Sequence, residues 1–231
     1  MPDAAGIATR GLEKTSRKAG EAMTRRTFHR APEAERRHDL IEATLDCIAE
    51  FGLEGATVRQ IAVKAGVTAG LIRHYFQTKE HILQEAYRVV IARLTEKAER
   101  VTGDPETRLR DFIVINLTEP VANSRSLSLW AAFISKVSVD PALAAIHREG
   151  YLGFRDALEG LLHDFLSERG TDASKERCRQ LAIAVNGLLD GLWLEGCLAG
   201  ELFEKDELVD IALTSIEALL GQTIDRTGLS A

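Results

Sequence analysis

Apolar positions recur every three or four residues along most of the chain beyond residue 34, and the elements they predict are helices. From Glu35 onward, Leu40, Ile41, Thr44, Leu45, Ile48 and Phe51 form one stripe, which Gly52 ends. Thr57-Val58-Arg59-Gln60 has the capping-box form, threonine at the N-cap and glutamine three residues later. It opens a short helix that ends near Ala65, with Gly66 in the turn. Thr68 caps a second short helix, reaching about Phe76. Thr78 caps a longer one over 79–101, whose buried stripe is Ile82, Leu83, Ala86, Tyr87, Val90, Ile91 and Leu94. Further on, Asp104-Pro105 and Asp140-Pro141 each place a capping acid before a proline at the first helical position. Helices are predicted at 104–117, 125–137, 140–168, 174–199 and 205–221, with Glu119-Pro120 breaking the chain between the first two. No strand alternation and no internal repeat emerge, so the fold class is all-α.

The 231 residues suffice for one or two domains with a real core. The net charge of −6, taken alone, argues against a nucleic-acid partner. Its distribution reverses that argument. Residues 1–80 hold 13 Lys and Arg against 11 Asp and Glu, while the remainder holds 16 against 24. Between Gly55 and Lys79 there is no acid, only the bases Arg59, Lys64, Arg73 and Lys79. A small basic face on an acidic body is the asymmetry of a nucleic-acid contact carried by a separate body. Residues 1–34, with seven bases and four acids and no apolar periodicity, read as a flexible basic arm. Met23 is an alternative start to Met1. Cys47, Cys178 and Cys197 are odd in number and widely spaced, which suits core packing better than a disulfide or metal site. The N-terminus lacks the apolar core of a signal peptide, so the cytoplasm is the expected location. The apolar run Leu181–Ala199 contains Asn186, Asp190 and Glu195 and is expected to be a buried helix, not a membrane span.

Two short capped helices about Gly66 make a helix-turn-helix. On a helical wheel of Thr68–Gln77, Ile72 and Phe76 point one way with Tyr75 flanking them. Gly70, Arg73, His74 and Gln77 point the other way. An apolar inner side and an outer side with a forked donor, an imidazole and a gap suit a helix laid in the DNA major groove. Arg73 can fork onto a guanine edge, and Gly70 lets the backbone come close. Thr57, Thr68, Tyr75 and Lys79 stand where hydroxyls, helix N-termini and an ammonium can hold phosphates.

The run ATVRQIAVKAGVTAGLIRHYFQTKEHIL also resembles the DNA-binding domain of the TetR family of repressors. The resemblance rests on Thr57, Ile61-Ala62, Ala65-Gly66-Val67, Ala69-Gly70, Tyr75-Phe76 and Lys79-Glu80, and it covers about Arg36–Tyr87. It implies base-facing positions for Arg59, Gln60, Gly70, Arg73 and His74, and phosphate positions for Thr57, Thr68, Tyr75 and Lys79. The expected organisation is therefore a helix-turn-helix domain at 35–80, a ligand-binding and dimerisation domain at 81–222 and a tail at 223–231.

A lone helix-turn-helix reads few base pairs, so the body is expected to form a homodimer on a palindromic double-stranded DNA operator. Leu181, Val185, Leu188 and Leu192 are the candidate interface stripe, and the resemblance implies a four-helix bundle built from 140–168 and 174–199. The segments LSLWAAFISKVSVDPALAAIHREGYLGFRDALEGLL and VNGLLDGLWLEG are similar to the C-terminal domain of BetI-type, choline-responsive repressors. Trp130 and Phe133, with Asp190 and Trp193, carry that likeness and are the candidate ligand pocket, since aromatic faces and a carboxylate attract a quaternary ammonium. Ile134 stands where that subgroup leads one to expect another aromatic. The effector is thus expected to be a small molecule of open identity, with choline or another amine as one candidate, since this domain type also appears in regulators of other metabolites. No phosphate loop, HExxH, CxxC or GxSxG is present, so neither enzymatic chemistry, nor a metal, nor a cofactor is expected. His147 and Glu149 near His163 have no metal spacing and are expected to be solvated or capping. The competing class is a helical interaction adaptor, which leaves the acid-free stretch unexplained, and a ligand-activated or corepressor-dependent regulator is the variant of the main reading.

Overall fold

The structure, a computed structural model, describes residues 32–227, except the side chains of 97–99. Most of the predicted basic arm therefore lies outside the described residues. Those described form nine α-helices: α1 (Glu33–Gly55), α2 (Val58–Lys64), α3 (Ala69–Phe76), α4 (Lys79–Glu99), α5 (Pro105–Leu117), α6 (Ser124–Val137), α7 (Pro141–Glu168), α8 (Lys175–Ala199) and α9 (Glu207–Leu220), with a 3-10 turn at Gly200–Leu202. No strand occurs among them.

The helix starts are set by the capping side chains that the sequence displays. Thr57 Oγ1 accepts from the Gln60 amide at 3.3 Å and Gln60 Oε1 accepts from the Thr57 amide at 3.2 Å, closing the capping box. Thr68, Asp104, Asn123 and Asp140 cap α3, α5, α6 and α7 in the same manner. Each such cap contributes about 1 kcal/mol to its helix. Gly52 sits at φ 70° and interrupts α1, after which the chain makes one further turn to Gly55. The predicted stop is thus a break within a longer element.

Two apolar clusters hold the molecule. The first joins α1, α2, α3 and the first half of α4 to Leu129 and Phe133 of α6 and Leu143 and Ile146 of α7. The second joins α5, α7, α8 and α9, closed by Ile224. The boundary expected between residues 80 and 81 therefore does not separate two cores, because α4, α6 and the start of α7 belong to the cluster that seats α2 and α3. Polar ties reinforce that seam: Arg125 pairs with Asp46 at 2.5 Å, Lys136 with Glu54 at 2.7 Å and Arg37 with Glu85 at 2.8 Å. Helices α4 and α7 cross closely at Gly150, where a Cβ would stand 2.1 Å from Ile91 Cγ2. Cys47 and Cys178 are buried, as their apolar settings lead one to expect.

Candidate functional site

Helices α2 and α3 meet through a tight turn. Gly66 adopts φ 64°, and the Val67 amide bonds back to the Ala62 carbonyl at 2.9 Å. Ile61, Ala62, Ile72 and Phe76 are buried beneath them, so the wheel's inward side is the inward side of the fold. Arg59, Gly70, Arg73, His74, Thr57 and Thr68 are exposed. Among the described residues, no carboxylate pairs with Arg59 or Arg73, and their guanidiniums are available to a polyanion.

Three residues of this group are more committed than the sequence suggests. Gln60 Oε1 is spent on the capping box, which leaves only its amide NH2 for an outside partner. Tyr75 is half-buried, its ring edge-on to His74 at 5.3 Å. Lys79 Nζ lies 3.5 and 3.4 Å from the Leu53 and Glu54 carbonyls, tying the end of α1 to the start of α4. Beside it, His81 Nδ1 donates to the Phe76 carbonyl at 2.8 Å, so α3 is fastened to the first turn of α4.

In the body, α4, α5, α6, α7 and α8 enclose a cavity of about 260 Å³. Trp130 and Trp193 meet edge to face in its wall, ring centroids 5.8 Å apart. The Trp193 indole donates to the Val121 carbonyl at 3.1 Å, which fixes that ring against the segment between α5 and α6. Asn186 donates to Asp190 Oδ2 at 3.0 Å and to the Tyr151 hydroxyl at 3.4 Å, lining up three polar side chains on two helices. Asp190 opens to the cavity, and among the described residues it has no cationic partner; burial of its surroundings raises its carboxyl pKa, and the Asn186 bond partly opposes this. The cavity lining contains neither lysine nor arginine.

Several expected positions need correction. Phe133 does not line the cavity: it is fully buried and stacks on Tyr87, centroids 4.6 Å apart. Ile134 takes its place in the lining, because it follows Trp130 by four residues and so shares its face. Leu181 and Val185 are buried inside the subunit, where they pack with α5, α7 and α9 and cannot reach a partner. Leu188 and Leu192 are half-buried against the same cluster. The side of α8 left open instead carries Ile183, Ala184, Gly187, Gly191 and Leu198. Nor is His147 a solvated or capping residue. It lines the cavity and shares a hydrogen bond of 2.9 Å with the buried Tyr87 hydroxyl. Tyr151, Asn186 and His147 carry no sequence signal of a common site, since their contacts span 35 to 60 residues.

Comparison with known proteins finds two family matches along the chain. Residues 40–86 match the model of bacterial regulatory proteins of the tetR family, and residues 105–221 match that of the BetI-type transcriptional repressor C-terminal domain. The HTH-type transcriptional regulator BetI of Pectobacterium carotovorum subsp. carotovorum is 33% identical over 193 residues, covering 81% of this chain and 95% of that protein. The regulator BetI of Pseudomonas aeruginosa (strain LESB58) is 30% identical, covering 81% and 94%. Among solved structures, a transcriptional regulator from Pseudomonas aeruginosa PAO1 superposes with a TM-score of 0.74 at 32% identity, covering 84% of this chain and 95% of that one. A regulator from Saccharomonospora viridis, solved in complex with choline, shares the fold with a TM-score of 0.61 at 20% identity, covering 83% and 98%. An α2–turn–α3 unit with free guanidiniums, mounted on a helical body, is thus matched along nearly its whole length by regulators, and the chain belongs to the TetR family of transcriptional regulators, as a repressor of the BetI type.

Proposed function

We propose that this chain represses transcription as a homodimer on a palindromic operator and is released when a small organic cation fills the cavity. The observation that carries the ligand class is the meeting of Trp130, Trp193 and Tyr151 around Asp190, which among the described residues has no cationic partner, in a lining without lysine or arginine. Aromatic faces attract an ammonium by about 0.5–2 kcal/mol each. A carboxylate held partly out of water gains further when a cation restores its balance of charge. The cavity is at the small end for metabolite sites, which favours a compact amine over an acyl-CoA. Choline is the first candidate, supported by the relatives named BetI and by the choline held in the Saccharomonospora viridis regulator.

On DNA, Arg73, His74, Gly70, Arg59 and the free amide of Gln60 face the bases, while Thr57, Thr68, Tyr75 and Lys79 face phosphates. Helix α4 is the lever: it starts at the recognition helix and ends in the cavity wall with Ile91, Leu94 and Thr95. Ligand favours the dimer state whose recognition helices no longer fit the operator spacing, and affinity falls by the ligand's preference for that state. The open faces of α8 and α9, including Ile183, Gly187, Gly191 and Ile211, form the dimer contact. A protein with this task works in the cytoplasm.

Titration of tryptophan fluorescence tests the reading, because both indoles of the chain stand in the cavity wall. Saturable quenching by choline, with affinity weakened at least tenfold by Asp190→Asn, is the expected result. A response to an acid or acyl-CoA in place of choline would sink the cationic assignment.

A further inference from the structure

A continuous line of side chains runs from Asp190 to the core beneath the recognition helix. Asn186 bonds both Asp190 and the Tyr151 hydroxyl. The Tyr151 ring stacks on His147 at 6.0 Å, interplanar angle 23°. His147 lies parallel to Tyr87, centroids 6.4 Å apart, and its Nδ1 is 2.9 Å from the Tyr87 hydroxyl. Tyr87 in turn stacks on Phe133, and both are buried in the cluster that contains Ile72 and Phe76 of α3. Four rings on α4, α6 and α7 thus link the cavity to the core that seats α2 and α3.

The α4–α7 crossing makes this line more than a row of neighbours. One turn beyond Tyr87 and His147, the Ile91 side chain fills the space left by Gly150, so α4 rests directly on the α7 backbone there. Outside the crossing, Arg88 pairs with Glu149 at 3.4 Å. The apolar contact fixes the separation of the helices but has no direction, since a methyl group can slide along a groove. A hydrogen bond does have direction, and the Tyr87–His147 bond sets the register of α4 against α7. Burial pushes the Tyr87 hydroxyl up to about 12 and lowers His147, so the bond joins a neutral phenol to a neutral imidazole at Nδ1.

We infer that Tyr87 and His147 are the positioning pair through which the cavity governs the recognition helix. A ligand that moves Tyr151 or Asn186 shifts the imidazole, and the imidazole carries the Tyr87 hydroxyl, and with it α4, to a new register. This rests on the reading of the cavity as a ligand site, but the pair can be tested without any ligand.

The test is a double-mutant cycle read by amide hydrogen exchange in α3 of the full chain. Tyr151→Ala perturbs the cavity end at a residue that is 38% exposed, so the fold tolerates it. Tyr87→Phe removes one hydroxyl and keeps the stacked ring. Tyr151→Ala is expected to change α3 exchange at least threefold, and Tyr87→Phe to abolish that change. His147→Phe, which keeps a ring and loses the bonding nitrogen, is expected to act as Tyr87→Phe does. Equal effects of Tyr151→Ala in both backgrounds, or none in either, would overturn the pair as a relay, since a purely structural hydroxyl gives additive changes. The choline titration reports separately on the ligand: silence there counts against choline, while the coupling between Tyr151 and Tyr87 stands or falls on hydrogen exchange alone.

Discussion

A side chain in this molecule is defined less by its type than by what already holds it. Arg73 is exposed, and among the described residues no carboxylate pairs with it, so its contribution should appear only on DNA. Arg73→Ala is expected to lower specific operator affinity about 30-fold or more, since a forked contact to a base is worth roughly 1–3 kcal/mol and a dimer makes it twice, with an unchanged melting temperature. Equal binding of the variant in a gel-shift titration would remove Arg73 from the base-reading set. His147 shows the opposite case, a group whose surroundings tune its proton. Burial lowers its pKa, so the unfolded chain takes up a proton near pH 6.5 while the folded chain still refuses one. Stability is therefore full above that pH, falls as the solution is acidified below it, and levels off once the folded imidazole titrates. Between pH 7.5 and 5.5 the wild-type melting temperature should fall more than that of His147→Phe; parallel curves would exclude this residue as the cause. The sequence could show Arg73 because an outward arginine on a short capped helix needs no distant partner to be understood. It could not show His147 or Phe133, because whether a helical ring faces a cavity or another ring depends on helices 46 to 60 residues away.

The helices themselves were legible almost to the residue, because capping acids, threonines and prolines act within one turn of chain. The face each helix turns to its neighbours was legible only in part. Periodicity marks the apolar side of α8 but not whether that side meets its own subunit or another. Leu181 and Val185 proved to be internal, whereas the open side combines Ile183, Ala184, Gly187 and Gly191. Over its most apolar window, α8 with the following turn has a mean hydropathy of 1.4, yet only 33% of that window is buried. Glycines within a helix each cost about 1 kcal/mol relative to alanine. Among the described residues nothing stands within 4 Å of a Cβ at Gly187 or Gly191, so no contact there offsets that cost. A partner helix brought close over these two positions, as proposed for the dimer, would offset it. Gly187→Leu and Gly191→Leu should therefore convert the dimer to folded monomer in sedimentation experiments, with an unaltered circular dichroism spectrum. Retention of a tight dimer in both variants would move the interface elsewhere, with the outer side of α9 as the next place to look.

At the scale of the whole molecule, charge and assembly act on the same observable. The acid-free stretch from Gly55 to Lys79 projects from a chain whose remaining residues, from 81 onward, carry 16 basic and 24 acidic groups. Among the described residues the acid-free α2–α3 end is therefore the part whose charge suits a polyanion, and the acidic body is expected to orient the approach by repulsion. Each phosphate neutralised by a lysine releases counterions worth a slope of about −0.9 in log affinity against log salt. A dimer presents every contact twice, so losing one cationic phosphate contact should flatten the slope by about 1.8 rather than 0.9. Lys79 is the informative residue, because its ammonium already touches the Leu53 and Glu54 carbonyls and could be wholly engaged in holding α1 to α4. Lys79→Met keeps the aliphatic stem and removes the charge. If Lys79 serves DNA from within a dimer, the slope falls by about 1.8. A fall of about 0.9 would mean that only one subunit engages phosphate at this position. If its role is the helix tie alone, the melting temperature drops and the slope stays as it was. One salt titration thus reads the residue, the pairing of subunits and the charge asymmetry together.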